Sequence, residues 1–165
     1  MDGQATIDGD NQIISEDWMK LKFALIGAVF AVGAVGIAYA DIKEDVIKMR
    51  QRLMDANGQA AKVAVTMARG DAPFDATIAA AVLLSISHDN DVLPNLFPAG
   101  TETGETKAGP AIWSDNAGFK ALSAKMVTDA KAAADAAAQG IDAFKKAMGP
   151  VGQNCQACHE KYRQS

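Results

Sequence analysis

The chain has 165 residues, the size of one domain, and 49% of them are hydrophobic, enough for a core. Its formal charge is −4, and residues 41–165 hold 15 acids against 14 bases, so no basic patch speaks for nucleic acid. Two cysteines leave a structural zinc site, which needs four ligands, unfilled.

Residues 1–18 are acidic, polar and aperiodic. They read as a start-site artefact or a disordered segment, outside any fold. Met19-Lys20-Leu21-Lys22 is a more natural start. Residues 23–40 carry no charge and end in Ala38-Tyr39-Ala40. A basic stretch, an apolar stretch and an Ala-x-Ala end make residues 19–40 a secretory signal peptide, with cleavage before Asp41. The competing reading is an uncleaved anchor, since an apolar run of this length can just span a bilayer. Membrane attachment is expected only in that case.

Four helical stretches follow. The first is expected over 41–69, with Ile42, Val46, Met49 and Leu53 as its apolar stripe and Gly70 as its stop. The second is expected over 73–87, capped by Asp71, with Ile78, Val82 and Ile86 on one side. Residues 89–110 hold Pro94, Pro98, Gly100, Gly104, Gly109 and Pro110. Such a long connection in a bundle is usually a crossover. The third helix is expected over 112–139, with Phe119, Leu122, Met126 and Ala130 inward. The fourth is expected over 141–163, kinked or broken at Gly149-Pro150. No stretch alternates as a strand does. The expected fold is all-α, an antiparallel four-helix bundle with one long crossover loop.

One covalently attached haem is read from Cys155-Gln156-Ala157-Cys158-His159, a C-x-x-C-H run of the kind that attaches c-type haem. On a helix the two thiols and the imidazole fall on one face, so one turn offers two thioether tethers and an axial ligand for the iron. A thioredoxin-type pair would sit near a βαβ pattern, which is absent. A disulfide between the two would leave the adjacent His unexplained.

On these features the chain resembles the cytochrome c′ family, the class II cytochromes c, over nearly all of residues 41–165. The resemblance rests on Lys48-Met49-Arg50-Gln51-Arg52-Leu53-Met54 in the first helix and Leu96-Phe97-Pro98 in the crossover. It continues with Ile112-Trp113 and Phe119, and ends with Cys155 to His159 followed by Tyr162-Arg163. It implies a periplasmic bundle, often a homodimer. Within the family, the run from Leu53 to Gly58 looks like the low-spin branch, in which a first-helix methionine is the sixth ligand. The resemblance therefore implies His159 and Met54 on the iron, and a soft thioether favours the reduced state. Met54 as core filler is the alternative; an open iron would then bind NO or CO. Met49 and Met67 are expected in the core.

Arg50, one turn before Met54, suits a haem propionate, with a solvated surface arginine as the alternative. Arg163, four residues after His159, is placed beside the proximal face, where its charge would tune the iron; the alternative is a frayed terminus. Trp113 and Phe119 are expected to pack in the core or against the haem rather than relay electrons. His88 is expected on the surface. No nucleophile–base pair suggests an enzyme. The expected function is one-electron transfer to redox partner proteins, with NO or CO binding as the alternative.

Overall fold

The computed structural model describes residues 41–164. The expected signal peptide and the segment ahead of it lie outside the described residues. The first helix, α1, covers residues 41–69. Its covered side runs through Ile47, Arg50, Met54, Asn57, Ala61 and Ala64, spaced alternately three and four apart. The expected stripe is displaced from this side: Ile42 is 61% and Met49 53% exposed. Met49 is therefore not a core residue, whereas Met67 is buried. Polar Arg50 and Asn57 occupy inward positions, and apolar Met49 and Val63 face out. Hydrophobicity alone therefore points to the wrong side.

Helix α2 spans Ala76–Val92. Asp75, not Asp71, caps it by accepting from the Ile78 amide at 2.9 Å. It runs five residues past the expected end at Ser87, so His88 lies inside it, exposed. A 3-10 turn, Leu93–Leu96, follows. Pro94 opens that turn, where a missing amide N–H costs nothing. Ala79, Leu83 and Ile86 face inward, and Ile78 does not.

The third expected helix is two. Helix α3, Ala111–Ser114, is one turn. Helix α4 spans Asn116–Ala137. The break is at Asp115, whose backbone leaves the helical region (φ −124°, ψ 52°) and whose carboxylate caps α4 through the Gly118 amide. Gly140, at φ 105°, turns the chain into α5, Ile141–Tyr162. Helix α5 passes through Gly149-Pro150 without the expected break. Both residues are exposed, so the carbonyl that loses its partner to proline can bond water.

Short connections at 70–75 and 138–140 make sequential helices antiparallel neighbours. One cluster draws on all four long helices: Met67, Leu83, Met126 and Phe144 meet with Ala130, Ala133 and Ala137, which are fully buried. These alanines let α4 approach its neighbours closely. A second cluster, richer in aromatics, gathers Leu93, Ile112, Phe119 and Tyr162 with Met54, Phe97 and Cys158. The result is the expected all-α four-helix bundle with one crossover, residues 97–110. Among the described residues there is no strand, only an isolated bridge between Ala108 and Arg163.

Candidate functional site

One cavity of about 640 Å³ collects all six residues singled out from the sequence: Arg50, Met54, Cys155, Cys158, His159 and Arg163. Its size lies within the usual range for small-molecule sites, about 300–1,000 Å³. Helices α1, α2, α4 and α5 and the crossover all supply walls.

The C-x-x-C-H run sits in the last two turns of α5, where helical spacing brings its three side chains to one face. Both thiols are free and half-buried. Cys155 packs against the first cluster and Cys158 against the second. Burial pushes both thiols above their ordinary pKa, and for Cys158 the neighbouring Cys155 adds to the rise. Burial, and then the Arg163 cation, push the His159 imidazole down. That shift favours the neutral imidazole, whose lone pair is free for a metal. Among the described residues no three His, Cys, Asp or Glu side chains gather as a metal cluster.

Arg50 is not a solvated arginine; it is 3% exposed. Its guanidinium donates to Thr101 O at 2.8 Å, Thr101 Oγ1 at 3.1 Å and Thr106 Oγ1 at 2.9 Å. It also lies 4.7 Å from the centre of the Phe97 ring. Burial pulls its pKa down, with Glu102 opposing. Arg50 thus ties the crossover to α1 and holds a buried positive charge at the cavity wall. Among the described residues no carboxylate pairs with it. Met54, half-buried one turn later, lines the same cavity.

Arg163 is not on a frayed end. The Gly109 amide donates to Tyr162 O at 2.7 Å and the Gln164 amide to Lys107 O at 2.8 Å, on either side of the Ala108–Arg163 bridge. Phe119 lines the cavity. Trp113 is not among its lining residues; its indole donates to Phe97 O at 3.1 Å and supports the crossover from behind.

Sequence reasoning missed two groups. Asp115, Tyr162 and Lys161 join the start of α4 to the end of α5: Tyr162 Oη and Lys161 Nζ both reach Asp115 Oδ2. Asn57, Asn90, Ser123 and Asn154, one from each long helix, line the cavity between the two clusters. Their signal was available, since each is a polar residue on the inward side of its helix.

Similarity to known proteins agrees with this geometry. A family model described as Cytochrome C′ matches residues 45–163. A cytochrome c′ of Rhodopseudomonas palustris is 37% identical over 150 residues, covering 88% of this chain and 97% of its own. A cytochrome c-556 of Agrobacterium fabrum is 33% identical over 145 residues, with the same coverage. A solved cytochrome c′ of Rhodopseudomonas palustris superposes with a TM-score of 0.70 at 37% identity, over 73% of this chain and 97% of that one. The nitric oxide complex of an Alcaligenes xylosoxidans cytochrome c prime mutant gives 0.66 at 32% identity, over 74% and 97%.

Proposed function

Since the chain belongs to the cytochrome c′ family and carries covalent haem c, we propose that it is a periplasmic one-electron carrier with His159 and Met54 as the two axial ligands. The observation that carries this is the single cavity shared by Cys155, Cys158, His159 and Met54. These residues fit the group: two thiols for thioether tethers, a neutral imidazole, a thioether, and otherwise mainly apolar walls. Arg50, Lys107 and Arg163 line the cavity against one acid, Asp55, in a chain whose net charge is −4. That local excess of two cations suits the two carboxylates of a haem. When bound, the haem supplies the ferric–ferrous couple.

The protein's own part is mostly electrical. Arg50 holds a buried cation that favours the reduced state and recognises a carboxylate. The apolar side chains Leu93, Ile112, Phe119 and Met126 give the cavity a low-dielectric lining, and the Arg50 bonds hold the crossover against it. The downward shift of His159 favours the neutral form that can ligate iron. Among the described residues no helix is long and apolar enough to cross a membrane. Apolar side chains also stand exposed at Met49 and Val63 on α1 and Ile78 and Leu84 on α2. This supports a homodimer through the first two helices.

A second reading, an open iron that takes NO or CO, is favoured by the solved relatives, one of which is titled as a nitric oxide complex. Optical and EPR spectra of the purified protein, with and without CO, separate the two. Electron carriage expects a low-spin spectrum with a methionine–iron band, lost in Met54→Ala, and no CO uptake by the reduced wild type. A high-spin spectrum with prompt CO binding, unchanged by the mutation, would establish gas binding instead.

A further inference from the structure

Asn154, immediately before Cys155, is 3% exposed and lines the cavity. Its Nδ2 donates to Leu122 O at 3.2 Å. That bond fixes the amide's orientation, because exchanging oxygen and nitrogen would set two acceptors face to face. The Oδ1 is buried, and no group of the described residues donates to it. An acceptor left so costs about 1–3 kcal/mol, so such atoms are rare unless something else supplies a donor.

The surroundings are polar in a second, independent way. Asn90 Nδ2 donates to Ile86 O at 2.8 Å and reaches Asn57 Oδ1 at 3.4 Å. Ser123 Oγ donates to Asn90 O at 2.6 Å. Asn57, Asn90, Ser123 and Asn154 therefore form a polar band, one residue from each long helix. The band crosses a cavity wall otherwise built of Ala61, Ile86, Leu122 and Met126. The remaining N–H of Asn57 and a lone pair of Ser123 Oγ are free to bond a guest.

We propose that this band is a binding site for one small neutral proton donor, an ordered water, which donates to Asn154 Oδ1 and bonds a second time to the band. Buried waters occur about once per 27 residues and typically make two to four such bonds, and the band supplies the partners. The haem offers no substitute donor along its macrocycle edge, because its pyrrole nitrogens are occupied by the metal. The site also has an electrical consequence, which rests on the haem reading above. The carbonyl end of the Asn154 dipole, opposite the amide that bonds Leu122 O, would stabilise positive charge on a neighbouring group. Asn154 thus lowers the reduction potential, opposing Arg50, and the water sets by how much.

The test compares crystal structures and midpoint potentials of haem-loaded wild type, Asn154→Leu and Asn154→Ser. The wild type is expected to show a water within hydrogen-bond distance of Asn154 Oδ1 and of one further band residue. Asn154→Leu should lose that water and shift the potential upward. Asn154→Ser, which keeps a polar group and carries the comparison if the leucine variant does not accumulate, should keep the water and shift less. A wild-type Oδ1 met by the cofactor or by another side chain, with no water, overturns the site. An unchanged potential in a leucine variant that has lost the water overturns the electrical role. Intact mass of the wild type, taken first, isolates a failure of the haem reading as protein without the added mass of the group.

Discussion

Tyr162 Oη donates to Asp115 Oδ2 at 2.8 Å and so ties the end of α5, three residues after His159, to the residue at which the third helix breaks. Asp115 also accepts from Lys161 at 2.6 Å and caps α4 through Gly118. The Tyr162 ring stacks edge-on against Phe119 at 5.3 Å, Phe119 against Phe97 at 5.0 Å, and Phe97 lies under Arg50. One continuous line of contacts thus runs from the haem-motif helix to α1 and helps fix both sides of the cavity.

The Asp115 carboxyl is the titrating end of that line. Its bonds from Lys161, Tyr162 and the Gly118 amide hold it down from 3.8 to about 2. A carboxylate with a depressed folded-state pKa stabilises the fold above its unfolded value, and that contribution is lost as pH falls from near 4 toward 2. Thermal melts at a series of pH values are expected to show a drop in Tm across this window. Asp115→Asn should start lower at pH 7 and have a shallower drop. Equal slopes for the two proteins would show that Asp115 does not couple protonation to folding.

Gly118 is packed against the same junction. A Cβ there would stand 2.5 Å from Asp115 Oδ2 and 2.6 Å from Tyr162 Oη. Ordinarily Gly→Ala inside a helix gains up to about 1 kcal/mol. Here the forced displacement dominates, and overpacking of this kind costs about 1–3 kcal/mol. Chemical denaturation of Gly118→Ala should therefore show net destabilisation. A gain would mean that the Asp115–Tyr162 bond yields without cost.

Arg50 makes four bonds, three to the crossover and a long one at 3.4 Å to Leu96 O in the preceding turn. Arg50→Ala strands the buried Thr101 carbonyl, while the hydroxyl keeps its bond to Pro98 O, at a cost of about 1–3 kcal/mol. Arg50→Lys keeps the charge but not the fork, and should recover only part. Hydrogen exchange is expected to quicken at the Thr101, Gly109 and Gln164 amides in both variants, more in the alanine one. Protection equal to that of the wild type would place the crossover's stability elsewhere.

Much of this site could be read from the sequence, for a local reason. Cys155, Cys158 and His159 lie within five residues of one helix, and Arg50 and Met54 within one turn of another, so spacing alone predicts which share a face. The long-range partners could not be read that way. Arg50 finds Thr101 and Thr106 some fifty residues on, and Asp115 finds Tyr162, because tertiary packing brings them together. The helix faces failed where the burial pattern defied hydropathy, as at Met49 and Ile78. The expected third helix was interrupted because Asp115 gains more as a cap and as the partner of Tyr162 and Lys161 than as a helical residue.

Pro150 gives the last expectation. It sits inside α5, exposed, six residues after inward-facing Phe144 and beside buried Val151. Proline in a helix interior is about 3 kcal/mol less favourable than alanine, part of which is offset by the restricted unfolded chain. The helix nonetheless runs on through it, so the packing of Phe144, Val151 and Asn154 must outweigh the lost bond. Pro150→Ala is expected to stabilise the protein by about 1–3 kcal/mol, read from the denaturation midpoint, with unchanged optical spectra. A less stable variant, or one with shifted haem bands, would show that α5 needs the proline's bend to present Cys155, Cys158 and His159 to the cavity.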